Sequence, residues 1–229
     1  MTASNPRKLA VLCDFDGTIT VGQVLDILYN NFADPCCNEL IQRWVRGEIS
    51  TVEEIEGCFA TMKANQAEME AALDREAQLD PAFPDLVQFC RQRGYPLAIV
   101  SDGLQWYIEY VLNKFGFAGL PVYANQIEFL PDGFRITMPW YDPETPKRGV
   151  SKPAILRRYK KEGYAIVFIG DGLSDIEAVP FADIVFAHQT LWEYCQENGF
   201  PAIKIRGLAD ALADRTVIAR LADPVRDQP

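Results

Sequence analysis

The sequence predicts an α/β protein with a doubly wound, mainly parallel sheet. Short apolar runs recur along the chain, and most are followed by a polar loop and then by a stretch with helical spacing. The runs lack the alternation of a strand that faces water, which is typical of strands buried on both faces of a parallel sheet. Because crossovers between parallel strands are right-handed, we expect the loops after the runs to meet at one edge of the sheet. The runs occupy residues 9–13, 97–100, 165–169 and 184–187.

Residues 18–81 carry helical spacing and many acids, without a strand pattern. The segment from Ser50 to Glu54 predicts the capped start of a helix. We expect four helices in this region, which either form a cap over the first loop or simply pack on the sheet. Our interpretation is a Rossmann-like core of residues 1–17 and 82–229 with an inserted helical cap domain of residues 18–81.

A β-hairpin is predicted in the second half of the chain. Strand-like segments at 125–129 and 134–138 flank the turn sequence Leu-Pro-Asp-Gly. The last residues, 223–229, have the composition of a frayed tail.

Charge and composition narrow the function classes. The 229 residues include 22 Lys and Arg against 32 Asp and Glu, which gives a net charge of −10. A nucleic-acid partner needs a clustered basic face, so none is expected, whereas one Lys and backbone amides suffice for a small anionic substrate. The apolar run before Asp14 is too short for a signal peptide or a membrane span. We therefore expect a cytoplasmic protein with no membrane partner, and the sequence leaves its oligomeric state open.

The six cysteines show no metal-binding spacing. Cys36 and Cys37 are adjacent, which suits neither a zinc site nor an easy disulfide. The expected state of the cysteines is therefore reduced, in agreement with a cytoplasmic location.

Two carboxylates directly follow the first apolar run, in the sequence Asp-Phe-Asp-Gly-Thr at residues 14–18. At the carboxyl end of a parallel strand, Asp14 and Asp16 lie where open α/β sheets place their ligand crevice. Two acids so close to a buried strand would repel each other unless a cation lay between them. The sequence therefore predicts a metal site.

The same loop has the residues that phosphate-ester hydrolysis needs. Such a reaction requires a nucleophile, an acid for the leaving group, a divalent cation and donors for the phosphoryl oxygens. Asp14 can attack phosphorus to give an aspartyl phosphate. Asp16 can protonate the leaving alkoxide and later deprotonate the hydrolytic water. Thr18 can donate its hydroxyl hydrogen to the phosphate.

Later loops supply the other phosphate-binding groups. Ser101, together with the amides of Asp102 and Gly103, can hold the phosphoryl group, and Lys152 brings a positive charge to the same edge. Each has an ordinary explanation when it is taken alone, because a Ser after a strand is usually a helix cap and a single Lys is usually solvated. Their combination in this order favours the functional interpretation.

The loop after the third run, Gly-Asp-Gly-Leu-Ser-Asp, completes the predicted metal site. Mg²⁺ prefers carboxylate oxygens together with water and phosphate oxygens. Asp14, Asp16 and Asp171 are the predicted ligands of Mg²⁺, which is the expected cofactor. Asp175 is predicted to support them, through Lys152 or a metal-bound water.

Together these motifs resemble the haloacid dehalogenase (HAD) superfamily of phosphotransferases, from about residue 9 to residue 190. The resemblance implies a Mg²⁺-dependent phosphomonoesterase that forms an aspartyl phosphate and acts on a small phosphorylated metabolite. The helical insertion is similar to that of the phosphoserine phosphatase-like subgroup. An acid two residues after the nucleophile, here Asp16, resembles the pattern of the phosphatase branch of the superfamily. The matching motifs are residues 14–18, Ser101, Lys152 and residues 170–175.

Two groups of relatives within that subgroup compete for the substrate. Phosphoserine phosphatases typically carry a Glu nine residues after the nucleophile, where this chain has Gln23, a candidate specificity residue. They also carry an Arg in the cap, and the matching segment after Gly47 has none. The phosphatases of methionine salvage, which act on a methylthiopentenyl phosphate, are more similar at residues 99–104, 124–129, 138–140 and 185–187.

Other functions stay open at this point. A phosphoserine phosphatase and a phosphomutase would use the same nucleophile and the same following acid. A catalytically silent metabolite- or protein-binding module could retain the fold, although the complete motif set disfavours it. A receiver domain also has an acidic pocket, but the helical insertion and the position of Asp16 do not suit one.

Overall fold

The protein is described from a computed structural model, which covers residues 8–214. Residues 1–7 and 215–229, and with them the predicted tail at 223–229, lie outside the described residues. The strands form one seven-stranded sheet in the order β4-β3-β2-β1-β5-β6-β7. The strands are β1 (Lys8–Cys13), β2 (Leu97–Leu104), β3 (Val122–Leu130), β4 (Gly133–Thr137), β5 (Tyr164–Gly170), β6 (Ile184–Ala187) and β7 (Ile203–Lys204).

The predicted fold class is confirmed. Every neighbouring pair of strands is parallel except β3 and β4, which form the antiparallel hairpin that the turn sequence predicts. All four apolar runs are strands. The sequence did not reveal β7, which has only two residues, or the parallel pairing of β3 with β2.

The central strand β1 explains why the sheet is buried on both faces. Its side chains alternate between two separate cores, with Val11 and Cys13 in one and Ala10 and Leu12 in the other, and none of these four is exposed to solvent. A strand without a water-facing side has no position for a polar residue, so the run is continuously apolar. Polar side chains can therefore appear only where the strand ends.

Helices cover both faces of the sheet. Side chains of α5, α6 and α9 join one core, and those of α7 and α8 join the other. Four further helices, α1 to α4, lie between β1 and α5 and pack into the first core. The helices are α1 (Val24–Phe32), α2 (Cys37–Val45), α3 (Thr51–Phe59), α4 (Gln66–Glu76), α5 (Phe83–Arg93), α6 (Gln105–Lys114), α7 (Lys152–Lys161), α8 (Gln189–Glu197) and α9 (Leu208–Ala213), with a 3₁₀ helix at Leu173–Phe181.

The start of α3 is a capping box, as the sequence predicts, but with a different partner. Ser50 accepts a hydrogen bond from the amide of Glu53, and the Glu53 carboxylate accepts one from the amide of Ser50. Glu54, one position further along, is buried and takes no part in the cap. Its side chain is therefore free for another purpose.

The expectation of reduced cysteines without an easy disulfide is wrong for one pair. Cys37 at the start of α2 and Cys58 near the end of α3 form a disulfide, with their Cα atoms 5.1 Å apart. The two helices lie side by side, so residues that are 21 positions apart in sequence face each other. Sequence spacing alone does not show this pairing. Within residues 8–214, no helix combines the length and the apolar character that a membrane crossing requires.

Candidate active site

The site lies at the carboxyl edge of the sheet, where β1, β2 and β5 end side by side. Asp14 directly follows β1, and its amide donates to the carbonyl of Ile169 in β5 at 2.9 Å. Asp171 directly follows β5, and Lys152 is the first residue of α7. The topology thus brings the predicted motifs together, because parallel strands end at the same edge.

A lysine buried between two carboxylates forms the floor of the site. The Nζ atom of Lys152 lies 2.7 Å from Oδ1 of Asp14 and 2.5 Å from Oδ1 of Asp175. Burial raises the pKa of Asp14, and the nearby charge of Asp175 adds to that effect. Burial lowers the pKa of Lys152, but the two carboxylates outweigh it, so its net shift is upward and the ammonium stays charged.

The donor set at this floor fits a divalent cation. Carboxylate oxygens of Asp14, Asp171 and Asp175 lie within 4.8 Å of one another and are buried. Of the described lysines and arginines, only Lys152 forms ion pairs with this group, and its partners are Asp14 and Asp175. Three carboxylates therefore face one positive charge. Hard oxygen ligands with surplus negative charge are what Mg²⁺ prefers.

Asp171 is held by two residues of the first motif loop and the turn after it. Its Oδ1 accepts a hydrogen bond from the Thr18 hydroxyl at 2.8 Å, and its Oδ2 lies 3.4 Å from Nε2 of Gln23. Burial, and then the charge of Asp175, raises the pKa of Asp171 to about 7. The structure therefore places Thr18 and Gln23 against the carboxylate of Asp171, where they orient it.

Asp16 stands beside the three-carboxylate group and not within it. Its Oδ1 accepts from the amide of Val24 at 2.7 Å, and its Oδ2 accepts from the hydroxyl of Tyr107 at 2.6 Å. Burial raises the pKa of Asp16 to about 6, although both hydrogen bonds act in the opposite direction. Both side-chain oxygens of Asp16 thus accept hydrogen bonds from the protein, and its part in holding Mg²⁺ stays a prediction.

Tyr107 is a site residue that sequence reasoning missed. Helical spacing in α6 predicts a core position, and its ring is indeed fully buried. Its hydroxyl nevertheless reaches the Asp16 carboxylate across 91 positions of sequence. Such a long-range contact leaves no local signal.

The loop after Val100 differs in part from its predicted role. The amide of Gly103 donates to the Ser101 hydroxyl oxygen at 3.1 Å, so it is used within the loop. The carboxylate of Asp102 accepts from the amides of Gly149 and Val150, at 2.8 and 2.9 Å. It also accepts a hydrogen bond from the hydroxyl of Thr51, at the start of α3. The Asp102 side chain therefore links the loop after Val100 to the start of α3, which the sequence did not indicate.

Close packing requires glycine at two positions of the site. Gly17 has a φ of 73°, and a Cβ atom there would lie 2.5 Å from Oδ2 of Asp171. A Cβ atom on Gly103 would overlap the hydroxyl of Tyr107. Any larger residue would displace the carboxylate or the tyrosine, so both glycines keep the backbone close to the reactive groups.

A cavity of about 470 Å³ opens above this floor, between the sheet edge and helices α1 to α3. Its core side includes Asp14, Asp16, Ser101 and Asp171. Its opposite side, formed by residues of the segment 18–81, mixes apolar side chains with polar and acidic ones, and sequence reasoning did not single out most of them. These residues are Gln23, Leu25, Asp26, Tyr29, Ile41, Trp44, Val45, Thr51 and Glu54.

The fold and this arrangement of acids define a hydrolase of the haloacid dehalogenase type. The family model of haloacid dehalogenase-like hydrolases matches residues 11–179, which is most of the chain. The chain belongs to this family.

Relatives give the finer comparison. A protein of Brevibacillus brevis, named 2-hydroxy-3-keto-5-methylthiopentenyl-1-phosphate phosphatase, is 30% identical over 200 residues, which cover 85% of this chain and 89% of that protein. A protein of the same name from Geobacillus kaustophilus is 32% identical over 199 residues, with 85% and 90% covered. The prediction of a phosphatase of this superfamily is confirmed.

Solved phosphoserine phosphatases share the fold. One, described as a phospho-aspartyl intermediate analogue, matches with a TM-score of 0.67 and 21% identity over 90% of this chain and 98% of its own. A substrate-bound phosphoserine phosphatase matches over the same shares with a TM-score of 0.68 and 19% identity. These likenesses concern the architecture alone.

Proposed function

We propose that this protein is a Mg²⁺-dependent phosphomonoesterase that hydrolyses a small phosphorylated metabolite through an aspartyl phosphate. One observation carries the proposal: the carboxylate of Asp14 lies at the end of the central strand, on the floor of the cavity, held by Lys152. A nucleophile fixed in this way loses little entropy when it attacks a bound phosphate. Residues 18–81 would act as a cap that closes over the substrate and excludes water.

Asp14 and Asp16 divide the chemistry between them. An oxygen of Asp14 attacks phosphorus and the bond to the leaving oxygen breaks, while Asp16 gives its proton to that oxygen. The pKa of Asp16, which burial raises to about 6, lets the group hold a proton at mildly acidic pH and lose it near neutrality. Asp16 then takes a proton from water, which attacks phosphorus and releases phosphate and free Asp14.

The other predicted residues bind and orient. Ser101 lines the cavity and would contact the phosphoryl oxygens. Lys152 is buried behind Asp14, where Oδ1 of Asp175 fixes it, and its positive charge would offset charge on the phosphoryl group. Asp14 and Asp171 would hold Mg²⁺, which when bound offsets charge on the phosphoryl group. Thr18 and Gln23 orient Asp171 by hydrogen bonds.

For the substrate we propose the methylthiopentenyl phosphate named in the methionine-salvage relatives. Identity of 30–32% over most of both chains supports this. The apolar cap wall, which includes Leu25, Ile41 and Trp44, suits a thioether tail. Among the described residues that line the cavity, none is basic, so the carboxylate of phosphoserine has no partner there. We also propose a cytoplasmic location, although the Cys37–Cys58 disulfide differs from the reduced state expected there.

Phosphate release from a panel of esters tests the proposal. We expect the purified enzyme to hydrolyse the methylthiopentenyl phosphate faster than phosphoserine by at least about tenfold, because the carboxylate of phosphoserine would face acidic side chains without a basic partner. EDTA should stop hydrolysis, and added Mg²⁺ should restore it. Absence of phosphate release from every ester, or full activity in EDTA, would contradict the proposal. Return of the phosphoryl group to a sugar phosphate, without release, would instead identify a phosphomutase.

A further inference from the structure

The buried carboxylate of Glu54 is unexplained by the proposed chemistry. Glu54 lies on α3, is only 5% exposed and lines the cap side of the cavity. Its Oε2 is 3.3 Å from the hydroxyl of Tyr29, and its Oε1 is 3.7 Å from Sγ of Cys58, which is bound in the disulfide. Among residues 8–214, no basic side chain forms an ion pair with it.

The buried, ionised carboxylate of Glu54 lowers the stability of the folded protein. Burial raises its pKa to about 7, and the charges of Asp26 and Asp102 act in the same direction. A buried carboxylate normally has a cation or several strong donors, and a single long hydrogen bond is a poor substitute. The N-terminal capping box of α3 is complete without Glu54, because Ser50 and Glu53 each accept a hydrogen bond from the other's backbone amide. A costly group without a structural role, facing a cavity, indicates a contact with a ligand.

The rest of the cavity wall defines what that ligand can carry. Six acidic residues line the cavity, and none of the lining residues within 8–214 is Lys, Arg or His. A second carboxylate on the substrate would therefore face several like charges and no basic side chain. A hydrogen-bond donor on the substrate would instead give the Glu54 carboxylate a second hydrogen bond, beside the one from Tyr29. The acidic residues are Asp14, Asp16, Asp26, Glu54, Asp102 and Asp171.

We propose that Glu54 is a specificity residue that accepts a hydrogen bond from a donor on the carbon skeleton of the substrate and excludes phosphate esters that carry a carboxylate. This inference rests on the proposed phosphatase function. Tyr29 is the positioning residue, since its hydroxyl orients the Glu54 carboxylate from α1. The remaining wall of Leu25, Trp44 and Val45 takes the uncharged part of the substrate.

A matched pair of ligands tests the proposal. Glycerol 3-phosphate and 3-phosphoglycerate have the same three-carbon skeleton, and a hydroxymethyl group in the first replaces the carboxylate of the second. Their inhibition constants are measured against hydrolysis of p-nitrophenyl phosphate at pH 8, where Glu54 is ionised. We expect the wild type to bind glycerol 3-phosphate at least about tenfold more tightly. Phosphoethanolamine, in a third arm, distinguishes an ammonium donor from a hydroxyl donor.

Variants decide whether Glu54 is the cause. In Glu54→Gln the ratio of the two inhibition constants should fall towards one, and in Tyr29→Phe it should fall in part. Glu56→Gln, an exposed residue on the same helix, should keep the wild-type ratio. An unchanged ratio in Glu54→Gln, or tighter binding of 3-phosphoglycerate by the wild type, would overturn the proposal. Failure of the wild type to release phosphate from p-nitrophenyl phosphate and from every ester of the panel would refute the phosphatase function instead, and calorimetric binding of the same esters would then test Glu54 independently.

Discussion

The core side and the cap side of the cavity satisfy their acidic residues very differently. On the core side, Asp14 and Asp175 share the ammonium of Lys152, and Asp175 also accepts two backbone amides. On the cap side, Glu54 has one long hydrogen bond, from Tyr29. In the proposed function, the acids at the sheet edge are held in place before substrate arrives, whereas Glu54 gains a second hydrogen-bond partner when substrate binds. We therefore infer that the residues for the phosphatase reaction lie at the sheet edge, whereas the residues that select the substrate lie on helices α1 to α3.

The largest effect on stability is expected at Lys152. In Lys152→Met, the buried carboxylates of Asp14 and Asp175 lose their cation, which should cost about 3–5 kcal/mol of unfolding free energy. Phosphate release should also fall by at least about a hundredfold, because a positive charge that offsets charge on the phosphoryl group is lost. Urea unfolding and activity assays measure the two effects. Lys161→Met, on the exposed face of the same helix, is the control and should change neither.

The disulfide should contribute somewhat less, and only to the cap. Cys37 and Cys58 close a loop with a sequence separation of 21, for which loop-entropy estimates give about 3 kcal/mol. We expect Cys58→Ser to unfold at lower urea concentration, and a reducing agent to lower the wild type to the same midpoint. Cys36→Ser, at an exposed free cysteine next to the bond, is the control. A wild type that is indifferent to reducing agent would show that the bond stabilises nothing.

A smaller, pH-dependent effect should separate Glu54 from the core acids. With a pKa near 4.5 in the unfolded chain and about 7 in the folded protein, Glu54 binds a proton more tightly when folded. Its contribution to stability is therefore present at low pH and is lost as the pH rises through this range. The free energy of unfolding of Glu54→Gln, relative to that of the wild type, should therefore increase by about 2–3 kcal/mol from pH 4 to pH 8. Unfolding curves at both pH values measure this gain. A pH-independent difference, equal to that of Glu56→Gln, would show that Glu54 ionises normally.

The residues at the sheet edge could largely be predicted from the sequence. Runs buried on both faces have no polar positions, so the acids that follow them, Asp14 and Asp171, mark the sheet edge without any knowledge of packing. Motif order then adds Ser101 and Lys152. The predicted strands and the hairpin follow from the same local patterns and turn chemistry.

Residues whose partners are distant in sequence could not be predicted. Tyr107 has the helical spacing of a core residue, and only the packing of α6 against the first loop brings it to Asp16. The contact between Thr51 and Asp102, and the disulfide, likewise depend on how the cap helices pack. Glu54 contradicts the usual preference of glutamate for the surface, so no local pattern marks it. The apolar residues of the cavity wall, Leu25, Ile41 and Trp44, have helical spacing like that of an ordinary helix core, so the sequence does not show that they face a cavity.

Trapping the phosphorylated enzyme tests the central claim most directly. The enzyme is mixed with p-nitrophenyl phosphate, quenched in acid, digested and analysed by mass spectrometry. We expect a phosphoryl group on the peptide that contains Asp14 and none in Asp14→Asn, whose turnover should fall by at least about a thousandfold. A phosphoryl group on another residue, or substantial turnover by Asp14→Asn, would contradict the assignment of Asp14 as the nucleophile.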